Sequence, residues 1–302
     1  MGSVEKSFRK GEIIMKEGDV GKSFFKLLEG KAGVYADYAK KNPFRLGFLN
    51  AGEFFGEMAI LEESPRSATI VAETSVTVVE IPENEMTKYF KENPDQIIEL
   101  MKHLGNRIQT MAADYAESQV LLKQLKDSDE TKKKSLFSKI KKHIDTYQVN
   151  KNKLNEPDGK ALRAEFDKLK DDNTGDIKNY NRGTFIFKEG KVENCMYILH
   201  NGNVSLVSDY RTKEEAKLKD YEAVSFFGEM GIISEQPRAA TAIVESGSAT
   251  VETVSPEDLQ KLIKTCPDKI ELILRHMSYR LRKLNIDFVN ACKEITETYH
   301  GT

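Results

Sequence analysis

Residues 54–69 read FFGEMAILEESPRSAT, and residues 226–241 read FFGEMGIISEQPRAAT. The same motif therefore occurs twice in the chain, 172 positions apart. The match continues upstream without insertion or deletion and aligns three glycines of the first copy with three of the second, namely Gly11, Gly18 and Gly30 with Gly183, Gly190 and Gly202. A chain that repeats one long motif is expected to contain two domains of the same fold.

Two residue types in the motif indicate an anion site. Gly56 and Gly228 allow a sharp turn, which brings backbone N–H groups close to a small anion. We expect a short helix to follow each glycine, with the N–H groups of its first turn facing the same anion. Arg66 and Arg238 each add a guanidinium whose donors match two oxygens of one phosphate. The sequence therefore predicts a phosphate site in each copy.

A glutamate follows each of these glycines, at Glu57 and Glu229. A carboxylate would repel a phosphate, so its useful partner is a neutral donor such as a ribose 2′-hydroxyl. Pro65 and Pro237 restrict the turn just before each arginine. The alternative is that Glu57 and its counterpart only form exposed salt bridges with the arginines, and such pairs contribute little to stability.

This arrangement of glycine, glutamate and proline–arginine resembles the phosphate-binding cassette of the cyclic nucleotide-binding domain, a family that includes the catabolite activator protein and the regulatory subunits of protein kinase A. The resemblance implies that Glu57 and Glu229 hold the ribose hydroxyl and that Arg66 and Arg238 hold the cyclic phosphate. The ligand-binding residues that it implies are Gly56, Glu57, Met58, Arg66, Ser67 and Ala68 in the first copy and Gly228, Glu229, Met230, Arg238, Ala239 and Ala240 in the second.

Short runs rich in β-branched, aromatic and aliphatic residues alternate with glycine turns around each motif, for example at 23–28, 33–39, 75–81, 197–199 and 249–254. They predict an α+β fold with two jelly-roll-like β-barrels, each followed by helices, a long C-helix per copy and a helical connector. The expected domains are 1–122, 123–180 and 181–302. The second copy has Val224 where the first has Gly52, so we expect a reshaped loop before its cassette.

Each copy ends in a long helical pattern whose apolar residues recur at alternating spacings of four and three, as in a heptad seam. The seam positions are Ile97, Met101, Leu104, Ile108, Met111, Tyr115, Ser118 and Leu122, then Ile270, Leu274, Met277, Leu281, Leu284, Phe288, Ala291 and Ile295. A seam requires a partner but does not identify it. The two C-helices pair within the chain or in a homodimer, or each packs on its own barrel.

The connector at 123–180 is highly charged, yet it contains apolar residues at helical spacings, namely Leu136, Phe137, Ile140 and Ile144, then Leu162, Phe166 and Leu169. These spacings predict two helices, with a turn between them at 155–159. The lysines of the first helix make it basic, which is more typical of a solvated face than of an anion-binding surface.

The base of a nucleotide requires contacts outside the cassette. In the family that the motif resembles, the long helix supplies base contacts or a lid, which here implies Met111, Ala112, Tyr115, Leu284, Asn285 and Phe288. For Tyr115 and Phe288, the alternative is that they belong to the core of the seam. The resemblance also bears on the choice of base, because some cyclic GMP-binding relatives have a threonine directly after the cassette arginine, where this chain has Ser67 and Ala239. It implies cyclic AMP at both sites, with cyclic GMP at site one as the exception.

The composition limits the function classes. With 46 Lys and Arg against 48 Asp and Glu, neither nucleic acid nor an anionic membrane is expected as the main partner. Three cysteines without metal-ligand spacing and no apolar run of membrane-spanning length predict a cytoplasmic protein. Cys292, late on the second long helix, is expected to be exposed.

No catalytic, kinase, phosphodiesterase or metal motif is present in the sequence, so we expect no enzyme activity, metal or cofactor. Past Phe288 we expect only a helical tail and no DNA-binding domain. The leading hypothesis is a receptor with two sites for cyclic AMP that relays occupancy to an unidentified protein effector by rearranging its C-helices. The alternatives are a structural or scaffold protein with degenerate pockets and a regulatory subunit of a separate enzyme.

Overall fold

The computed structural model describes residues 3–40, 43–61, 65–127, 136–150, 164–165, 175–233 and 236–300. The chain divides into two compact units, each built from separate segments. Unit 1 contains Met1–Met86, Asn106–Pro157 and Met277–Thr302, and unit 2 contains Thr87–Gly105 and Asp158–His276. The division into domains 1–122, 123–180 and 181–302 remains a prediction from the sequence.

The first repeat forms two antiparallel four-stranded sheets, in the orders β1-β8-β3-β6 and β2-β7-β4-β5. Leu27, Phe55 and Val78 of one sheet and Ala32 and Ile70 of the other belong to one buried cluster, so the core lies between the sheets. The strands are β1 (Val4–Phe8), β2 (Ile13–Met15), β3 (Ser23–Glu29), β4 (Lys31–Ala36), β5 (Phe44–Asn50), β6 (Phe54–Phe55), β7 (Thr69–Ala72) and β8 (Val76–Pro82).

The second repeat has the same topology, with sheets β14-β11-β16-β9 and β10-β15-β12-β13. The register is also the same, because Phe25 pairs with Phe55 in the first repeat and Tyr197 with Phe227 in the second. The strands are β9 (Asp176–Asn181), β10 (Phe185–Phe187), β11 (Met196–Asn201), β12 (Asn203–Ser208), β13 (Ala216–Glu222), β14 (Ser225–Phe227), β15 (Thr241–Val244) and β16 (Ser248–Val254). The prediction of two jelly-roll-like domains is confirmed, and each is a sandwich of two open sheets.

Helices follow both sandwiches, as the sequence predicts. In chain order the helices are α1 (Glu57–Leu61), α2 (Met86–Glu92), α3 (Asp95–Lys126), α4 (Phe137–Asn150), α5 (Met230–Ile233), α6 (Pro256–Thr265) and α7 (Pro267–His300). Of these, α1 and α5 lie within the cassettes, between two strands of each sandwich. A capping box starts α6, since the Ser255 hydroxyl accepts a hydrogen bond from the Asp258 N–H and the Asp258 carboxylate accepts one from the Ser255 N–H. None of the helices in the described residues is both long and apolar enough to cross a membrane.

The seam residues of the long helices are largely buried, for example Met101 and Leu104 in α3 and Leu274 and Leu281 in α7. Within unit 1, one buried cluster joins α3, α4 and α7 through Leu121, Leu122, Leu125, Ile140 and Ile295. The C-terminal parts of the two long helices therefore pack together within one chain. Pairing in a homodimer stays a prediction.

The first connector helix is confirmed as α4. The predicted second helix, with Leu162, Phe166 and Leu169, and the predicted turn at 155–159 lie outside the described residues. The expectation that Cys292 is exposed is wrong, because its side chain is fully buried. Ile286, Val289 and Cys292 form a second buried stripe beside the seam of α7, and burial raises the pKa of the Cys292 thiol to about 12.

Candidate functional site

Both cassettes position their arginine by the same main-chain contacts. In the first repeat, the Arg66 N–H donates to the Asp19 carbonyl at 2.9 Å, and the Arg66 carbonyl accepts from the Gly18 N–H at 2.9 Å. In the second, Arg238 pairs in the same way with Lys191 at 2.8 Å and with Gly190 at 2.9 Å. The loop between the second and third strands of each repeat therefore fixes where the arginine side chain begins.

Gly56 and Gly228 are the positions where the cassette backbone requires glycine. Their φ angles are +78° and +69°, a region that other residues rarely adopt. The glycine carbonyl then accepts a hydrogen bond from the arginine of its own cassette. Arg66 Nη1 donates to Gly56 O at 2.5 Å, and Arg238 Nη1 donates to Gly228 O at 2.6 Å.

The Arg66 guanidinium is buried, with 5% of the residue exposed. Its Nη2 donates to the main-chain carbonyl of Ser23. Burial lowers the pKa of Arg66, while the carboxylates of Glu57, Glu80 and Asp19 act in the opposite direction. The first cassette thus holds a desolvated cation whose nearest fixed anions are carboxylates.

Glu57, at the start of α1, is also buried, with 2% of the residue exposed. Its Oε1 accepts a hydrogen bond of 2.7 Å from Nη1 of Arg107 on α3. The side chain of Arg107 is 42% exposed, so this ion pair reaches from solvent into the cassette. The carboxylate predicted to bind a ribose is therefore connected to the long helix.

A pocket with about 310 Å³ of empty space, including its open mouth, lies at the first cassette. Five predicted ligand-binding residues line it, namely Gly56, Glu57, Met58, Arg66 and Ser67. The others that line it are Met15, Ala59, Pro65, Arg107 and Arg282. Ala68 is buried directly after these residues and does not line the pocket.

The predicted base contacts do not line this pocket. Met111, Tyr115, Leu284 and Asn285 are half-buried, and Ala112 is exposed. Phe288 is buried, and its ring meets the His143 ring of α4 edge-on at 6.0 Å, which agrees with the alternative that it belongs to the helical core. Contact between these six residues and a base stays a prediction.

The long helices instead place Arg107 of α3 and Arg282 of α7 at the pocket, and sequence reasoning missed both. One signal was available for Arg107. A carboxylate that lies in a pocket needs donors or a cation, and the long helix after the sandwich is the element expected to cover the pocket. No comparable signal identified Arg282.

The second cassette contains the same pair of buried charges, with Glu229 3% and Arg238 6% exposed. Arg238 Nη2 donates to the Cys195 carbonyl at 2.8 Å. The Phe187 ring centroid lies 4.5 Å from Arg238 Cζ. Arg238 Nε is buried and has no hydrogen-bond partner among the described residues. Of the remaining predicted residues, Gly228 and Met230 are half-buried, Ala239 is exposed and Ala240 is buried.

Comparison with known families decides what these cassettes belong to. The family described as "Cyclic nucleotide-binding domain" matches residues 5–93 and 177–266, which together are more than half of the chain. The chain belongs to the cyclic nucleotide-binding domain family. The resemblance seen in the sequence is confirmed, and both repeats are cyclic nucleotide-binding domains.

Curated relatives of these domains include kinase regulatory subunits. The chain is 22% identical to the cAMP-dependent protein kinase type II regulatory subunit of Drosophila melanogaster, over 87% of this chain and 55% of that protein. It is 24% identical to the cAMP-dependent protein kinase regulatory subunit of Dictyostelium discoideum, over 94% of this chain and 72% of that protein. The chain thus spans about half of the length of the first relative.

Among solved structures, the chain matches one described as cAMP-bound PfPKA-R (141–441), with 21% identity and a TM-score of 0.36. The match covers 89% of this chain and 76% of the other. In the described residues, no group of three His, Cys, Asp or Glu side chains is placed to hold a metal ion.

Proposed function

We propose that the chain is a cyclic AMP receptor with two binding sites, one per cyclic nucleotide-binding domain. The observation that carries this proposal is the buried glutamate and buried arginine in each cassette, Glu57 with Arg66 and Glu229 with Arg238. A buried guanidinium is costly unless an anion or several acceptors satisfy it. A cyclic phosphate would supply that anion, and a ribose hydroxyl would donate to the glutamate.

Arg238 Nε, the buried nitrogen of the second cassette, supports the same proposal. Two main-chain carbonyls accept from Arg238 Nη1 and Nη2, but the Nε–H has no hydrogen-bond acceptor among the described residues. Buried donors are rarely left unsatisfied in native structures. A phosphate oxygen is an acceptor of the right charge for this position.

Cyclic AMP is the proposed nucleotide because both regulatory-subunit relatives carry cAMP dependence in their names. Ala239, after the second arginine, is consistent with that choice. Ser67 occupies the same position at site one and adds a hydroxyl, so cyclic GMP is the competing ligand there.

Occupancy would be relayed through the long helices. A ribose hydroxyl on Glu57 changes the environment of the carboxylate that accepts from Arg107, and Arg107 belongs to α3. Arg282 lines the same pocket from α7. A ligand at site one therefore contacts or perturbs both helices and shifts the population of their arrangements. The proposed recipient is a protein effector, and the names of the relatives favour a kinase-type enzyme that this chain regulates.

A scaffold protein is the second candidate, and one observation favours it. Arg66 donates from both Nη atoms to main-chain carbonyls, Gly56 O and Ser23 O, so the protein itself already satisfies much of this guanidinium. In that case the arginine would be a structural clamp between the cassette and β3.

Isothermal titration with cyclic AMP and with cyclic GMP separates the two candidates. The wild-type chain is expected to bind two equivalents of cyclic AMP, Arg66→Ala or Arg238→Ala one, and the double variant none. Arg182→Ala, at an exposed position after β9, is the matched control and should bind two. At one hundred times Kd, a ligand of the folded state should also stabilise it by about 2.7 kcal/mol.

If neither nucleotide produces heat or a thermal shift, the receptor function is wrong and the scaffold function is favoured. If cyclic GMP binds more tightly than cyclic AMP, the receptor function stands but its ligand is cyclic GMP. A pull-down with and without nucleotide then tests the relay, since the effector should bind in only one of the two states.

A further inference from the structure

The two repeats differ at a position whose backbone lies against the arginine. Gly21 of the first repeat aligns with Glu193 of the second. The backbone of Gly21 lies directly against the guanidinium, since a Cβ built there would be 2.0 Å from Arg66 Nε and 2.1 Å from Nη2. A side chain at this position therefore enters the space around the arginine.

In the second repeat that side chain is a carboxylate. Glu193 Oε2 lies 3.5 Å from Arg238 Nε, the nitrogen that lacks a hydrogen-bond partner in the described residues. This distance is too long for a good hydrogen bond, but the two charges are close enough to attract each other. Glu193 thus occupies the side of the guanidinium that the carbonyls of Gly228 and Cys195 leave available.

A second substitution holds the carboxylate in place. The Tyr197 hydroxyl donates to Glu193 Oε2 at 3.1 Å, and it accepts from Cys195 Sγ at 3.4 Å. The first repeat has Phe25 at the position of Tyr197, so it lacks this hydroxyl. The exposed fraction of the Glu193 side chain is 35%, against 4% for Arg238, so the carboxylate lies nearer to the solvent and can leave.

We propose that Glu193 is an internal competitor of the ligand phosphate at the second site. A phosphate that binds Arg238 must displace this carboxylate or accept a like charge beside it, and both reduce affinity. Site one has a glycine at the same position and carries no such cost. Cyclic nucleotide therefore occupies site one first and site two only at higher concentration. This inference rests on the proposed receptor function.

The test isolates site two with Arg66→Ala in the full chain and measures Kd for cyclic AMP by titration calorimetry. Adding Glu193→Gln removes the charge and keeps an acceptor for Tyr197, and adding Glu193→Gly restores the residue of the first repeat. Both are expected to bind at least about fivefold tighter than Arg66→Ala alone, the lower end of typical site couplings. Glu214→Gln removes the same charge from an exposed turn of the repeat and should change nothing.

The reciprocal test isolates site one with Arg238→Ala. Any side chain at position 21 forces Arg66 to shift, so Gly21→Gln is expected to weaken cyclic AMP binding. Gly21→Glu has the same size and adds a charge, so it should weaken binding at least about fivefold more. Equal weakening by both would assign the effect to volume rather than charge and would overturn the proposal.

Failure of the inference differs from failure of the function. If cyclic AMP binds neither the wild type nor any variant, the receptor function fails. If it binds the wild type and Glu193→Gln matches its parent, only the inference is wrong. Weaker binding by Glu193→Gln would also overturn it, because the carboxylate would then be positioning Arg238 for the ligand.

Discussion

The two cassettes share a main-chain frame and differ in the electrostatics around the arginine. Arg66 and Arg238 donate to equivalent carbonyls, and equivalent loops fix both backbones. Around the first guanidinium lie Gly21 and Phe25, whereas Glu193 and Tyr197 lie around the second. The main-chain frame that places the arginine is therefore the same in both repeats, whereas the charges around the guanidinium differ.

A second contrast lies on the last strand of each sandwich. Glu252 on β16 is fully buried and accepts hydrogen bonds from Lys269 Nζ at 2.9 Å and from the His200 ring at 2.8 Å. Its counterpart Glu80 on β8 is partly exposed and accepts from Lys6 and from the Ser23 hydroxyl. The second repeat thus attaches its long helix to its sheet through a buried ion pair, whereas the equivalent carboxylate of the first repeat pairs with Lys6 on β1.

The largest effect is expected from Glu252→Ala. This change removes the carboxylate from a fully buried ammonium at Lys269, and breaking such a pair costs about 3–5 kcal/mol. Glu80→Ala, the matched change in the first repeat, should cost only about 1 kcal/mol because Glu80 is partly exposed and its partner Lys6 lies at the surface. Urea unfolding measures the free energy of unfolding of both variants. Equal losses would show that the buried ion pair contributes no more to stability than its counterpart in the first repeat.

The buried carboxylate of Glu252 should also make the stability of the protein depend on pH. Burial opposes the ionisation of Glu252, but the hydrogen bonds from His200 and Lys269 outweigh it and lower the pKa to about 2. A carboxyl group whose folded-state pKa lies below its unfolded value of about 4.3 stabilises the protein above that pH. This stability, about 3 kcal/mol, is lost as the pH falls from about 4.3 towards 2.

The free energy of unfolding, measured between pH 6 and pH 2.5, checks this prediction. Glu252→Gln should flatten the decline over this range by about 2 kcal/mol, because the rest of the stability is lost only below pH 2.5. The same decline in the variant as in the wild type would assign acid sensitivity to other carboxylates.

Sequence reasoning located the features that depend on local spacing. The long helices followed from a seam such as Met101 and Leu104, and the cassettes followed from a repeated motif. It missed Arg107 and Arg282 because a charged residue on a helix looks solvent-exposed until the packing of that helix is known. It also left Glu193 unexplained, since only the structure shows that Gly21 lies against the guanidinium.

Replacing each cassette arginine by lysine compares the two sites, and its effect is expected to be intermediate in size. Arg66→Lys and Arg238→Lys keep the positive charge and lose the planar fork, so each is expected to weaken binding at its own site about 10–100-fold. The loss should be greater at site one, where no carboxylate already limits affinity. Calorimetry with the other site disabled measures both values. Equal losses would show that Glu193 does not limit the second arginine.

The smallest effect is expected from Arg107→Ala, which tests whether the ion pair with Glu57 contributes to ribose recognition. The Arg107 end of the pair is exposed, although Glu57 is buried, so loss of the guanidinium should weaken cyclic AMP binding at site one only about fivefold. Because Glu57 would then be less fixed in orientation, the preference for cyclic AMP over its 2′-deoxy analogue should fall as well. Gln109→Ala, an exposed change on the same helix, is the control. Weaker binding with an unchanged preference between the two nucleotides would show that Arg107 acts on the phosphate or on α3, rather than through the glutamate.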